Sequence, residues 1–188
     1  MTSGLRIIAG SLKGRRLAAP TWDGVRPTSD KLRETLFNVL APRIVGARVF
    51  DGYAGTGAVG IEALSRGAAW ATFVDDDRRA TALIARNLAH CGVTDGYAII
   101  RASVEHAFDD VGSSREGGAF DIVFLDPPYA LDDRRVADVL ERVAAVLASE
   151  GIVVLEHARK RTPPDTPSLA RTRMIPSGDS ALTVYANT

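Results

Sequence analysis

From Ala47 onward the apolar residues come in short runs, separated by longer stretches in which they recur at helical spacing. Short apolar runs bounded by turn residues fit strands buried on both faces, and i, i+3, i+4 spacing fits helices laid on such a sheet. The pattern predicts strands over 47–51, 71–75, 97–101, 120–125 and 151–156. Helices are predicted over 58–66, 78–91, 104–110 and 133–148, with Gly67 and Gly92 placed as C-terminal stops. The glycine- and serine-rich residues 112–118 read as a surface loop, and 162–167 as an irregular connection. Two last extended runs, 169–175 and 181–186, flank Gly178-Asp179 and predict an antiparallel hairpin. Alternating strands and helices with right-handed crossovers give an α/β, doubly wound sheet. In such a sheet the first and fourth strands can be neighbours, which would set the loop after Asp51 beside the turn at Asp126.

The first forty residues break the alternation. Arg6-Ile7-Ile8-Ala9-Gly10 and Arg16-Leu17-Ala18-Ala19-Pro20 flank a turn with Gly14 and predict a β-hairpin arm carrying Arg6, Lys13, Arg15 and Arg16. A lone hairpin is marginal, so the arm must lie on the main domain or on a partner. Val25-Arg26-Pro27-Thr28-Ser29-Asp30 leads into a helix to about Leu40, with Leu32, Leu36, Phe37 and Leu40 on one face and Lys31, Arg33 and Asn38 largely off it. At 188 residues the chain reads as a single domain, 1–188, including a basic arm over 1–28. The formal net charge of zero hides an asymmetry: residues 1–50 hold nine Lys/Arg against three Asp/Glu, and the remainder 14 against 20. A basic segment on an acidic domain fits a polyanion gripped from one end.

Other classes fall away. No apolar run reaches membrane-span length, and the N-terminus lacks a basic-then-apolar leader. The single Cys91 leaves no internal disulfide and no cysteine cluster for zinc, and His90, His106 and His157 show no ligand spacing. A cytoplasmic monomer without metal is expected. Trp22 and Trp70 read as packing residues.

Candidate chemistry gathers at the ends of three predicted strands. The first runs into Asp51-Gly52-Tyr53-Ala54-Gly55-Thr56-Gly57-Ala58-Val59-Gly60. Gly55 and Gly57 allow a tight turn and close approach of a ligand, and the helix start beyond offers free N–H groups to an anion. Asp75 closes the second strand about 20 residues later, where a carboxylate can accept ribose hydroxyls. Asp76 and Asp77 fit the start of the next helix. Ser103 stands where an adenine edge could be read, or as a helix N-cap. The fourth strand ends in Asp126-Pro127-Pro128-Tyr129. There a carboxylate and the Pro127 carbonyl can accept both N–H bonds of an exocyclic amine, turning its lone pair toward a sulfonium methyl, while Tyr129 stacks on a flipped-out base. Glu156 ends the fifth strand and could face the same edge. Two other readings stay open: methylation of a DNA base amine (adenine N6 or cytosine N4), and a nicotinamide-binding Rossmann protein. A third is an RNA-binding assembly module without catalysis.

Together these residues resemble the RsmD family, bacterial methyltransferases of 16S ribosomal RNA. The resemblance runs through Arg6-Ile7-Ile8-Ala9-Gly10, Lys13-Gly14-Arg15-Arg16-Leu17, Arg26-Pro27-Thr28, Arg33-Glu34, Leu36-Phe37-Asn38, Tyr53-Ala54-Gly55, Glu62 to Ala68, Asp126 to Tyr129 and Gly178-Asp179. It implies a Rossmann-like class I S-adenosylmethionine methyltransferase sheet that acts on N2 of one guanine, position 966 of the small-subunit RNA. By that resemblance Asp51, Tyr53, Ala54, Gly55, Gly57, Asp75 and Ser103 line the cofactor, S-adenosyl-L-methionine, and Asp126, Pro127, Pro128 and Tyr129 hold the target base. Arg6, Lys13, Arg15, Arg16, Arg26 and Arg33 are the expected RNA contacts. Three residues depart from the family pattern: Gly52 replaces a larger apolar residue and is expected to loosen the loop, Asp75 replaces a glutamate, and Ser103 replaces an acidic residue.

Overall fold

The computed structural model describes residues 4–22, 29–113 and 119–188. Arg26, with the rest of 23–28, and 114–118 of the predicted surface loop lie outside the described residues. Seven strands, β1 (Arg48–Gly52), β2 (Trp70–Asp75), β3 (Tyr97–Arg101), β4 (Phe120–Leu125), β5 (Leu147–Ala158), β6 (Leu169–Ser177) and β7 (Ser180–Asn187), form one sheet. The helices are α1 (Asp30–Leu40), α2 (Ala58–Ser65), α3 (Arg78–Cys91), α4 (Val104–Ser113) and α5 (Asp133–Ala144). Sheet order is β3-β2-β1-β4-β5-β7-β6, with β1 to β5 parallel and β7 antiparallel to both its neighbours. The predicted doubly wound α/β fold is present, and β1 does pair with β4.

The continuous apolar runs are explained by burial on both sides. On β4, Ile122 and Phe124 enter a core shared with Leu32, Leu36, Phe37 and Leu40 of α1. Val123 and Leu125 enter the opposite core, with Phe108 of α4 and Val136, Val139 and Leu140 of α5. A third core packs α2 and α3 on β2 through Ile61, Ile84, Leu88 and Phe73. Each fully buried side chain of this kind contributes roughly 1.5–3 kcal/mol, so the two helical layers hold the strand ends firmly at the carboxyl edge.

Two predicted elements differ. The helix expected over 133–148 stops at Ala144. The Val146 carbonyl accepts the Phe120 N–H at 2.8 Å and Leu147 pairs with Phe120, so sheet pairing captures a stretch that helical spacing would have continued. Among its described residues the N-terminal arm forms no named strand but one antiparallel bridge, Arg6 with Arg16, closed by Ile7 N–H to the Arg15 carbonyl at 2.9 Å and Leu17 N–H to the Leu5 carbonyl at 2.8 Å. Ile7 and Leu17 are buried in the α2–α3 core, so the arm lies on the domain itself. No helix of the described residues is long and apolar enough to cross a membrane.

Candidate active site

The carboxyl ends of β1, β2 and β4 converge. Asp51 pairs with Phe124, Gly52 with Leu125, and the Asp126 N–H donates to the Gly52 carbonyl at 3.4 Å. The glycine loop and the Asp-Pro-Pro-Tyr turn are therefore adjacent. Between β1 and α2 the chain turns through Tyr53, Gly55 and Gly57, at φ of 61°, 55° and 74°. Tyr53 is the only non-glycine with positive φ among the described residues, an uncommon backbone state for a bulky side chain. Ala54 is buried and bonds Val74 of β2 at 3.0 Å. Gly60 lets α2 lie directly on β2, since a Cβ there would come within 2.2 Å of the Phe73 ring.

Two carboxylates hold this loop. Asp51, 1% exposed, accepts the Gly60 N–H at 2.8 Å and so pins the first turn of α2. Burial pushes its carboxyl up to about 7, against the pull of the Gly60 bond and with a further push from the charge of Asp75. Asp75 is half-buried and accepts the Gly55 N–H at 2.8 Å and the Asp77 N–H at 2.9 Å. Burial raises its carboxyl too. A carboxylate has about four lone-pair positions, so Asp75 holds the loop and still has capacity for hydroxyl donors. Asp77 caps α3 through the Arg79 N–H. The Ser103 hydroxyl accepts the His106 N–H at 3.3 Å and shares a 3.0 Å bond with His106 Nδ1, the capping role open to it in the sequence. Tyr53 packs against the α4–α5 core, and burial raises its hydroxyl well above the usual range.

Gly52 does not loosen the loop. It is the last residue of β1, paired on both sides, and a Cβ there would sit 2.8 Å from Leu125. At the fourth strand Pro127 is buried and the Pro128 carbonyl accepts the Leu131 N–H at 2.8 Å, closing the turn. Tyr129 is 47% exposed, yet its hydroxyl shares a 2.9 Å bond with Ser180 at the start of β7. Ser180 carries no sequence signal, because only the β5–β7 pairing brings it to this edge. Tyr129, Pro127, Leu155, Glu156, His157 and Arg161 line one cavity beside the turn. His157 is held by Thr183 at 2.8 Å and by the Ala158 carbonyl, which fits packing rather than proton transfer.

The basic arm divides. Arg6, Lys13, Arg15 and Arg16 are exposed. Arg33, expected at the RNA surface, is instead completely buried. It bonds Asp30 at 2.6 Å, Glu62 at 3.3 Å and the Arg6 carbonyl at 2.8 Å. Glu62 also accepts the Ile8 and Ala9 N–H groups and an ion pair from Arg66. The cause is legible: 33, 36, 37 and 40 follow i, i+3, i+4, i+7, so Arg33 belongs to the buried stripe, and a buried guanidinium needs a buried carboxylate. Asn87 of α3 completes the docking, binding both backbone groups of Ala18 and the Thr56 carbonyl of the glycine loop. Trp22 stacks under Arg79 at 5.1 Å and Trp70 under Arg48 at 5.7 Å.

The family model described as conserved hypothetical protein 95 matches residues 5–186. The chain is 37% identical over 182 residues to the Bacillus subtilis protein named "Putative rRNA methyltransferase YlbH", covering 96% of this chain and 98% of that one. It is 45% identical over 125 residues to Escherichia coli ribosomal RNA small subunit methyltransferase D, covering 66% of this chain and 60% of the other. Among solved structures, a hypothetical protein from Thermus thermophilus superposes with a TM-score of 0.82 at 29% identity, over 98% of this chain and 99% of that chain.

Proposed function

The chain belongs to the RsmD family of ribosomal RNA methyltransferases, and we propose that it transfers a methyl group from S-adenosylmethionine to the exocyclic N2 amine of a guanine in 16S RNA of the small ribosomal subunit, position 966. The observation that carries this reading is the Asp126 N–H on the Gly52 carbonyl, which seats the amine-binding turn against the glycine loop. The residues fit the cofactor: a tight loop at positive φ, a helix N-terminus behind it, and Asp75 with lone pairs to spare for ribose hydroxyls. When bound, the cofactor supplies an electrophilic methyl on a sulfonium. The protein's work is then positional and electrostatic.

An aniline-type nitrogen is a weak nucleophile because its lone pair is delocalised into the base ring. Asp126 and the Pro127 carbonyl accept its two N–H bonds, which favours a pyramidal nitrogen with the lone pair directed toward the glycine loop. The proton lost from nitrogen passes through Asp126 to solvent. Tyr129 supplies an aromatic face for the extruded base, its tip tethered by Ser180. Arg6, Lys13, Arg15 and Arg16 meet RNA phosphates, and the names of the relatives support a ribosomal RNA substrate. Asp126→Ala is expected to abolish methyl transfer to small-subunit RNA while calorimetric affinity for S-adenosylhomocysteine stays within a few-fold. Wild-type-like turnover in that variant removes Asp126 from the mechanism.

A further inference from the structure

β4 and β5 run parallel and in register from Ile122 opposite Ile152 to Leu125 opposite Leu155. One step further along each strand come Asp126 and Glu156. Side chains alternate between faces along a strand. Phe124 and Val154 both enter the core beneath α1, so two residues on, Asp126 and Glu156 follow on that same face. Glu156 stays in extended pairing with Leu182, a member of the same core, and is 6% exposed. Register thus places Asp126, the residue directly after β4, beside Glu156 of β5, with backbones about 4.8 Å apart, at the edge of the proposed amine-binding turn. Glu156 also borders the cavity behind Pro127 and Tyr129.

One amine does not need both. Asp126 and the Pro127 carbonyl already accept its two N–H bonds. In guanine the ring nitrogen next to the amine-bearing carbon carries a hydrogen, N1–H, and so presents a second donor beside the first. In adenine and cytosine the ring nitrogen beside the amine presents a lone pair. An ionised carboxylate accepts hydrogen bonds and cannot donate them. We propose that Glu156 reads the N1–H of the target guanine and is the specificity-determining residue of the site, a reading that rests on the amine-binding role of the Asp126 turn. Discrimination comes from repulsion as much as attraction: an ionised Glu156 accepts the guanine N1–H directly, whereas a base with a lone pair at that position sets acceptor against acceptor unless the carboxyl first takes up a proton.

The test uses a substrate that reverses the N1 contact. 2-Aminopurine keeps the 2-amino group, has a lone pair at N1 and lacks O6, so the N1 contribution is read from how the Glu156 variants change the preference. Small-subunit RNA, free and assembled with ribosomal proteins, is prepared with guanine or 2-aminopurine at the target nucleotide, and kcat/KM is measured for each. The wild-type protein is expected to prefer guanine by on the order of 100-fold or more. Glu156→Gln offers an amide N–H to the N1 lone pair, so the ratio is expected to fall by on the order of 100-fold, to near unity or below. Glu156→Ala is expected to lower the same ratio while slowing both substrates. Because each ratio is taken within one protein, partial misfolding cancels, and S-adenosylhomocysteine affinity within threefold of wild type marks an intact cofactor site. Equal wild-type rates on the two bases, or an unchanged ratio in Glu156→Gln, would overturn the role of Glu156 and leave the amine-methylation reading standing. Methylation of neither base by the wild type would overturn that reading, and the role of Glu156 with it.

Discussion

Asp51 bears the electrostatic cost of organising the glycine loop. It is the buried acceptor for Gly60 and stands within reach of the charge on Asp75, and its carboxyl is pushed up to about 7 from 3.8. A carboxyl whose pKa is higher folded than unfolded favours the native state at low pH, and that advantage disappears as pH rises through the folded value. The cofactor-free protein is therefore expected to lose stability between about pH 4 and pH 7, the window between the two values. Asp51→Asn keeps an acceptor for the Gly60 N–H and removes the titration. Urea unfolding at pH 5 and pH 8 should show a markedly smaller difference for the variant than for wild type, and equal differences would mean that Asp51 is not the titrating group. At this scale the sequence was informative where backbone chemistry is local, as for Gly55, Gly57, Pro127 and Pro128. It was silent where a partner arrives from a distant strand, as Ser180 does for Tyr129.

At the level of elements, the Arg33–Glu62 pair joins three pieces: α1, α2 and the backbone of the arm at Arg6, Ile8 and Ala9. Removing one member of a buried pair leaves an uncompensated charge, which costs about 3–5 kcal/mol. Arg33→Met is expected to lower unfolding free energy by about that amount in urea titration, with a double variant that also carries Glu62→Leu recovering part of it. A loss within error of zero would remove the pair from the stability of the fold. The sequence pattern of α1 contained this answer, since Arg33 sits at a core position of its own helix. The charge of the residue pointed outward and its spacing pointed inward, and a matching buried carboxylate 29 residues away decided between them. The shortening of α5 has the same logic: Val146 and Leu147 suit a helix locally, and the bonds to Phe120 override it.

For the whole molecule, docking of the arm along α2 and α3 sets its exposed cations on the same body as the site. Arg15 reaches the His90 carbonyl at 3.4 Å while Ala18 is fixed by Asn87. Replacing both Arg15 and Arg16 by alanine should weaken binding to small-subunit RNA and make the slope of log affinity against log salt shallower by roughly 1.5, on the basis of about 0.7–0.9 for each phosphate no longer neutralised. Affinity for S-adenosylhomocysteine should not change. An unaltered slope would assign the arm a purely structural role.

The order of elements, the parallel sheet, the glycine loop and the Asp-Pro-Pro-Tyr turn were all determined by the sequence by itself, because each depends on periodicity or on backbone constraints that act within a few residues. The tertiary structure alone decided which distant groups meet: the Asp126 N–H on the Gly52 carbonyl, Ser180 on the Tyr129 hydroxyl, and Glu62 as the buried partner of Arg33. Those contacts join residues far apart in the chain. Their identity is set by register and by the need of buried charges for partners, which no local pattern encodes.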